Sequence, residues 1–187
     1  MSTANKQVDD QTPHTYSGTS EEFIAAWELI HTAVSGNDKI KMFWSPNIDS
    51  MENIANWWPG PDTVDIVGID CYPKDNEVAA STAFSTCYDA FYIAYAAKYN
   101  IPFAIGETGY AGSAGAQTWL AQLVSQNMCQ YPLFIAASWF EYNQVGGNFL
   151  IVEGGADTLK TQQILVQNPR SGCGGTTATI GNAFHFC

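Results

Sequence analysis

Four apolar runs, KIKMFW (39–44), VDIVGI (64–69), PFAIG (102–106) and LFIAASW (133–139), alternate with segments of helical periodicity. Runs that are apolar nearly throughout predict strands covered on both faces, and alternation with helices predicts parallel strands joined by crossovers. EEFIAAWELIHTAV (21–34) opens with Thr19 and Glu22 at capping-box spacing and places Phe23, Trp27, Ile30 and Val34 on one face. TAFSTCYDAFYIAYAAKY (82–99) aligns Phe84, Cys87, Tyr88, Phe91 and Tyr95, and GAQTWLAQLVSQNM (115–128) aligns Trp119, Leu120, Leu123 and Val124. TLKTQQILVQ (158–167) supplies a last helix after the fourth strand. Between 44 and 64 the sequence predicts at most one short helix and a tryptophan-rich loop, and over 170–187 an irregular Gly/Thr-rich tail.

The strand signals recur about every 31 residues, so a closed eight-unit barrel would need roughly 250 residues, against the 187 present. The predicted fold is therefore α/β, a partial (β/α)8 TIM barrel holding about the last four βα units of eight. The expected organisation is a polar segment over 1–15, the half-barrel over 16–169 and the tail over 170–187.

Charge narrows the ligands. Eighteen acidic residues against seven basic ones give a net charge of −11, which argues against nucleic acid and against anionic membrane surfaces as partners. Acidic, aromatic-rich chains suit neutral polar ligands such as sugars. No apolar stretch reaches membrane-spanning length, and the opening MSTANKQVDDQTPHTY lacks a signal-peptide core. The five cysteines show no metal spacing. Cys173 and Cys187 either pair in an oxidising compartment or stand as single thiols.

Polar and aromatic residues end each predicted strand: Trp44 and Asn47, Asp70 and Tyr72, Glu107, then Trp139 and Glu141. In a βα barrel the chemistry gathers at the C-terminal strand ends, so these residues are expected to share one mouth. Glu107, at the tip of IPFAIGETGY, is the candidate catalytic carboxylate. The histidines, His14, His31 and His185, are scattered, and no metal site or cofactor is expected.

The series FWSPN, WWPGPDTVDIVGIDCYP, PFAIGETGY and ASWFEY resembles the C-terminal half of glycoside hydrolase family 26, known mainly for endo-β-1,4-mannanases, from about residue 16 to about residue 166. The phrase PGxDxVDxVGxDxY is the more specific part. The resemblance implies a retaining hydrolase on a (β/α)8 barrel, with Glu107 as nucleophile and Tyr72 as the phenol that orients it. It implies a sugar platform at Trp139 and a matching family aspartate at Asp70; Trp44, Trp57 and Trp58 are further candidates for sugar contacts. Glu141 matches no family role.

The acid/base glutamate of the family stands in a His-Glu motif just ahead of the segment matched by residues 16–35. This sequence has no such motif there, only Asp9 and Asp10. The expectation is a truncated product with the nucleophile half present, the acid/base half missing and little activity alone. The alternatives are a β-1,3/1,4-glucanase or β-1,3-xylanase of the same fold, or a non-catalytic carbohydrate-binding half-barrel. The expected partner is a polysaccharide or oligosaccharide, with self-association through open strand edges a further outcome, and the family implies an extracellular location.

Overall fold

The computed structural model describes residues 18–126, 129–145, 147–152, 158–167 and 184–186. Helix α1 (Ser20–Val34) begins with the anticipated capping box: Thr19 Oγ1 accepts from the Glu22 amide at 3.2 Å, and Glu22 accepts from the Thr19 amide at 2.8 Å. Strands β1 (Phe43–Trp44), β2 (Ile66–Gly68), β3 (Phe103–Thr108) and β4 (Phe134–Trp139) form inside the four apolar runs. They pair in parallel in the order β1-β2-β3-β4, each joined to the next by a helical crossover. This is the wall of a partial (β/α) barrel.

Three helices anticipated from periodicity are present: α4 (Ala83–Phe91), α5 (Ser113–Val124) and α6 (Thr158–Gln167). The chain continues from α4 into a π-helical stretch, Tyr92–Ala97, where the wider turn keeps Tyr92, Tyr95 and Ala96 buried. The stripes read from sequence on α4 and α5 are the core: Phe84, Cys87, Tyr88, Phe91, Trp119, Leu120, Leu123 and Val124 are all buried against the sheet. Aromatic rings bridge the layers, with Phe103 of β3 touching Tyr88, Tyr92 and Phe134. On α1 the stripe stops short. Trp27 is buried and donates its indole N–H to Thr63 O at 3.1 Å, whereas Ile30 is 49% exposed.

Several elements were not anticipated. Helix α3 (Asp75–Ala79) stands between β2 and α4, whereas helix α2 (Met51–Asn56) is the one short helix the sequence allowed before β2. Strands β5 (Asn143–Gln144) and β6 (Gly147–Asn148) make a small antiparallel hairpin after β4. Within the tail expected to be irregular, Phe184–Phe186 forms β7, which pairs in parallel with β4 and extends the sheet to five strands. Alternating Phe-His-Phe fits a strand, but three residues are too few to stand out from a Gly/Thr-rich stretch.

The cysteines form bonds that the sequence did not announce. Cys71, at the end of β2, is disulfide-bonded to Cys87 on α4, and Cys129 is disulfide-bonded as well. Cys173 and Cys187 lie outside the described residues, as does the polar segment 1–15 with Asp9, Asp10 and His14.

Candidate active site

The C-terminal ends of β1, β2 and β3 meet at a cavity of about 200 Å³, closed on one side by α1 and the tryptophan loop. Ser45, Asn47, Asp70 and Glu107 supply its polar groups, and Phe23, Trp27, Trp44 and Trp57 supply aromatic walls. It is smaller than the 300–1,000 Å³ usual for a whole ligand site.

Backbone hydrogen bonds continue the sheet past the ends of its strands and so fix these side chains. The Asp70 amide donates to Pro46 O at 2.9 Å, the Ile48 amide to Asp70 O at 2.9 Å, and the Cys71 amide to Glu107 O at 3.0 Å. Thr108, next to Glu107, is buried and donates its hydroxyl to Cys71 O at 2.7 Å, while Trp119 Nε1 donates to that same hydroxyl at 3.0 Å. Glu107 therefore projects from a backbone held on both sides.

Glycine makes the close approach of β2 and β3 feasible. A Cβ on Gly106 would collide with Ser45 Oγ and come to 2.5 Å from Asp70 Oδ1. The space left by that missing side chain is taken by the hydrogen bond from Ser45 Oγ to Asp70 Oδ1, 2.6 Å long. Asp70 is 5% exposed, and burial pushes its carboxyl up to about 6. The Ser45 hydroxyl opposes that rise, and the negative charge of Glu107 adds to it.

Tyr72 completes the arrangement. Its phenol is pushed up by partial burial, by the neighbouring charge of Glu107 and by a hydrogen bond with the Glu107 side chain. The Tyr72 phenol and the Glu107 carboxylate thus stand close enough to interact electrostatically. Its ring lies edge-on to Phe140 and Phe149, with centroids 6.1 and 5.7 Å away.

Of the candidates named from sequence, Glu107, Asp70 and Trp44 line the cavity and Tyr72 reaches Glu107. Trp58 is not on the lining; it stands behind Trp44, their centroids 4.7 Å apart, and stacks on Tyr99. Trp139 does not offer the face expected of a sugar platform. It is 2% exposed and donates its indole N–H to Phe149 O at 2.8 Å, so the segment after the hairpin covers it. Glu141, which matched no role, has a structural one: its carboxylate accepts the amides of Ile151 at 3.0 Å and Val152 at 2.7 Å. Phe23 and Trp27, read as a core stripe, also form cavity wall, and Ser45 gave no signal beyond standing two residues before Asn47. Among the described residues no cluster of His, Cys, Asp or Glu is arranged to hold a metal ion, and no helix is long and apolar enough to cross a membrane.

No protein-family model and no curated protein sequence matches the chain. Solved structures do. A GH26 β-mannanase from Bacteroides ovatus superposes with a TM-score of 0.53 at 18% identity, covering 78% of this chain and 42% of that one. An endo-β-1,4-mannanase double mutant from Cellulomonas fimi gives 0.58 at 18%, covering 91% and 40%. The catalytic domain of a GH26 endo-β-1,4-mannanase from Bacillus sp. JAMB-750 gives 0.55 at 13%, covering 90% and 50%. The chain thus has the fold of part of these barrel glycosidases and spans half of their length or less.

Proposed function

We propose that the chain carries the nucleophile side of a retaining glycoside hydrolase site of the β-1,4-mannanase type. The observation that carries this reading is Glu107: a strand-end carboxylate on a cavity wall, with the Tyr72 phenol close enough to feel its charge. In a retaining reaction such a carboxylate attacks the anomeric carbon, the glycosidic bond to the leaving oxygen breaks, and a glycosyl-enzyme forms that water then hydrolyses. In this reading Tyr72 aims the attacking oxygen. Asn47 and Ser45 offer polar contacts to sugar hydroxyls, and Trp57, half-buried on the cavity, backs an apolar ring face. The sequence motif PGPDTVDIVGIDCY and the fold shared with β-mannanases support mannan as the substrate class.

The second carboxylic acid required by this chemistry protonates the departing oxygen from about 5–5.5 Å away. Among the described residues Glu107 and Asp70 are the carboxylates on the cavity, and Asp70 is committed to Ser45. The described residues are therefore read as supplying no working acid toward an unactivated polysaccharide. The disulfides are those of an oxidising compartment, which supports secretion.

A leaving group that departs without a proton separates the two roles. With 2,4-dinitrophenyl β-mannobioside the chain should release dinitrophenolate measurably, while β-1,4-mannan turns over on the order of 10²–10⁴-fold less well than in an enzyme with its acid. Absence of release from the activated glycoside, with binding of mannohexaose retained, would favour a non-catalytic sugar-binding half-barrel instead.

A further inference from the structure

One residue separates Asp70 from Tyr72, and it is covalently tied. Cys71 is 4% exposed and its sulfur is bonded to Cys87, 5% exposed, on the second turn of α4. Three constraints converge on its backbone. The amide donates to Glu107 O at 3.0 Å, the carbonyl accepts from the Thr108 hydroxyl at 2.7 Å, and the side chain is anchored to the helix behind the sheet. The first two tie the end of β2 to the residues around Glu107; the third fixes it in depth. Strand residues alternate in direction, so a side chain pulled back toward α4 at 71 sends its neighbours at 70 and 72 the other way. Asp70 accordingly lies on the cavity and Tyr72 reaches Glu107.

We infer that the Cys71–Cys87 disulfide is a positioning element of the candidate site, holding the chain beyond β2 so that the Tyr72 phenol stays beside Glu107. The inference rests on the nucleophile role of Glu107 for its kinetic consequence, but the Tyr72–Glu107 contact itself is independent of that role. A disulfide serving stability alone would not alter the site once the remaining fold is intact. One serving position must do so, because β2 itself ends at Gly68 and residues 70 and 71 beyond it are held by only a few hydrogen bonds to the neighbouring strand ends.

Cys129 is disulfide-bonded too, so chemical reduction would not isolate the effect; the paired variant Cys71→Ser/Cys87→Ser does. The full chain is labelled with 3-fluorotyrosine, and the Tyr72 resonance is assigned with Tyr72→Phe. In the parent, Glu107→Gln should move that resonance. In the paired Ser variant, with far-ultraviolet circular dichroism unchanged, the resonance should take the position it has in the Glu107→Gln protein and no longer respond to that substitution. Release of dinitrophenolate should fall about 10-fold or more in kcat with KM within about 2-fold. If the paired Ser variant does not fold, Cys71→Ala/Cys87→Val, which fills the same apolar space, replaces it. A Tyr72 resonance that still responds to Glu107→Gln in a folded variant overturns the inference. Loss of that response without any turnover in the parent upholds the positioning role while refuting the hydrolase reading.

Discussion

The ends of β3 and β4 are built from the same materials and do opposite things. Each is an apolar strand leading to a glutamate, with an aromatic residue nearby: Glu107 beside Tyr72, Glu141 two residues beyond Trp139. At β4 both side chains are spent on backbone. Trp139 donates to Phe149 O, and Glu141 takes the Ile151 and Val152 amides. At β3 the backbone needs are met by others, namely Cys71, Thr108 and the register with β4, so Glu107 faces a cavity and meets a phenol. A strand-end carboxylate becomes available for chemistry when the neighbouring strand, rather than the carboxylate, satisfies the local amides.

That contrast can be broken most directly by exchanging charge for shape. Glu107→Gln should lower dinitrophenolate release by at least about 10³-fold, since it removes the carboxylate proposed to form the glycosyl-enzyme, with little change in thermal midpoint. A variant within a few-fold of the parent would place the nucleophile elsewhere. Tyr72→Phe keeps the ring packing on Phe140 and Phe149 but removes the donor; kcat should fall on the order of 10–100-fold, about the worth of one hydrogen bond to a charged group. Steady-state kinetics read this, and an effect confined to KM would assign Tyr72 to sugar binding instead.

The buried end of β2 gives a pH signature. Folding raises the Asp70 carboxyl from 3.8 to about 6, so the folded state prefers the protonated form. The stability this contributes is full below pH 3.8 and is lost as pH rises through about 6, an effect on the order of 2–3 kcal/mol. Thermal melts between pH 4 and pH 7 should show a decline that Asp70→Asn flattens; an unchanged slope would mean another group titrates there. Smallest is Glu141→Ala, expected to cost about 2 kcal/mol by leaving the Ile151 and Val152 amides without their acceptor. Its thermal midpoint should drop roughly 4–8 °C, and its turnover once folded should match the parent.

Sequence made the scaffold legible because burial on both faces leaves long apolar runs and helical stripes, and β1 to β4, α1, α4, α5 and α6 all carry that mark. It was silent on the hairpin β5–β6 and on β7, whose two or three residues hold no periodicity. Glu107, Tyr72 and Asp70 were singled out because strand ends converge in a βα wall. Trp139 was misjudged as a platform because nothing in SWFEY says that residues after the hairpin fold back over its indole. Trp58 was placed one layer too far forward for a similar reason: of the adjacent pair Trp57 and Trp58, the register of the loop puts only the first on the cavity. The Cys71–Cys87 bond joins a strand end to a helix across 16 residues, a separation that carries no metal or turn signature and is fixed only once β2 and α4 are packed.

The central claim is that Glu107, and not Glu141 or Asp70, is the side chain that bonds to a sugar. Incubating the chain with 2,4-dinitrophenyl 2-deoxy-2-fluoro-β-mannobioside and mapping the adduct by peptide mass spectrometry tests it in one step. The account predicts a single glycosyl adduct on the peptide containing IPFAIGETGY, absent in Glu107→Gln. An adduct on Glu141 or Asp70, or the same adduct persisting without Glu107, would contradict it.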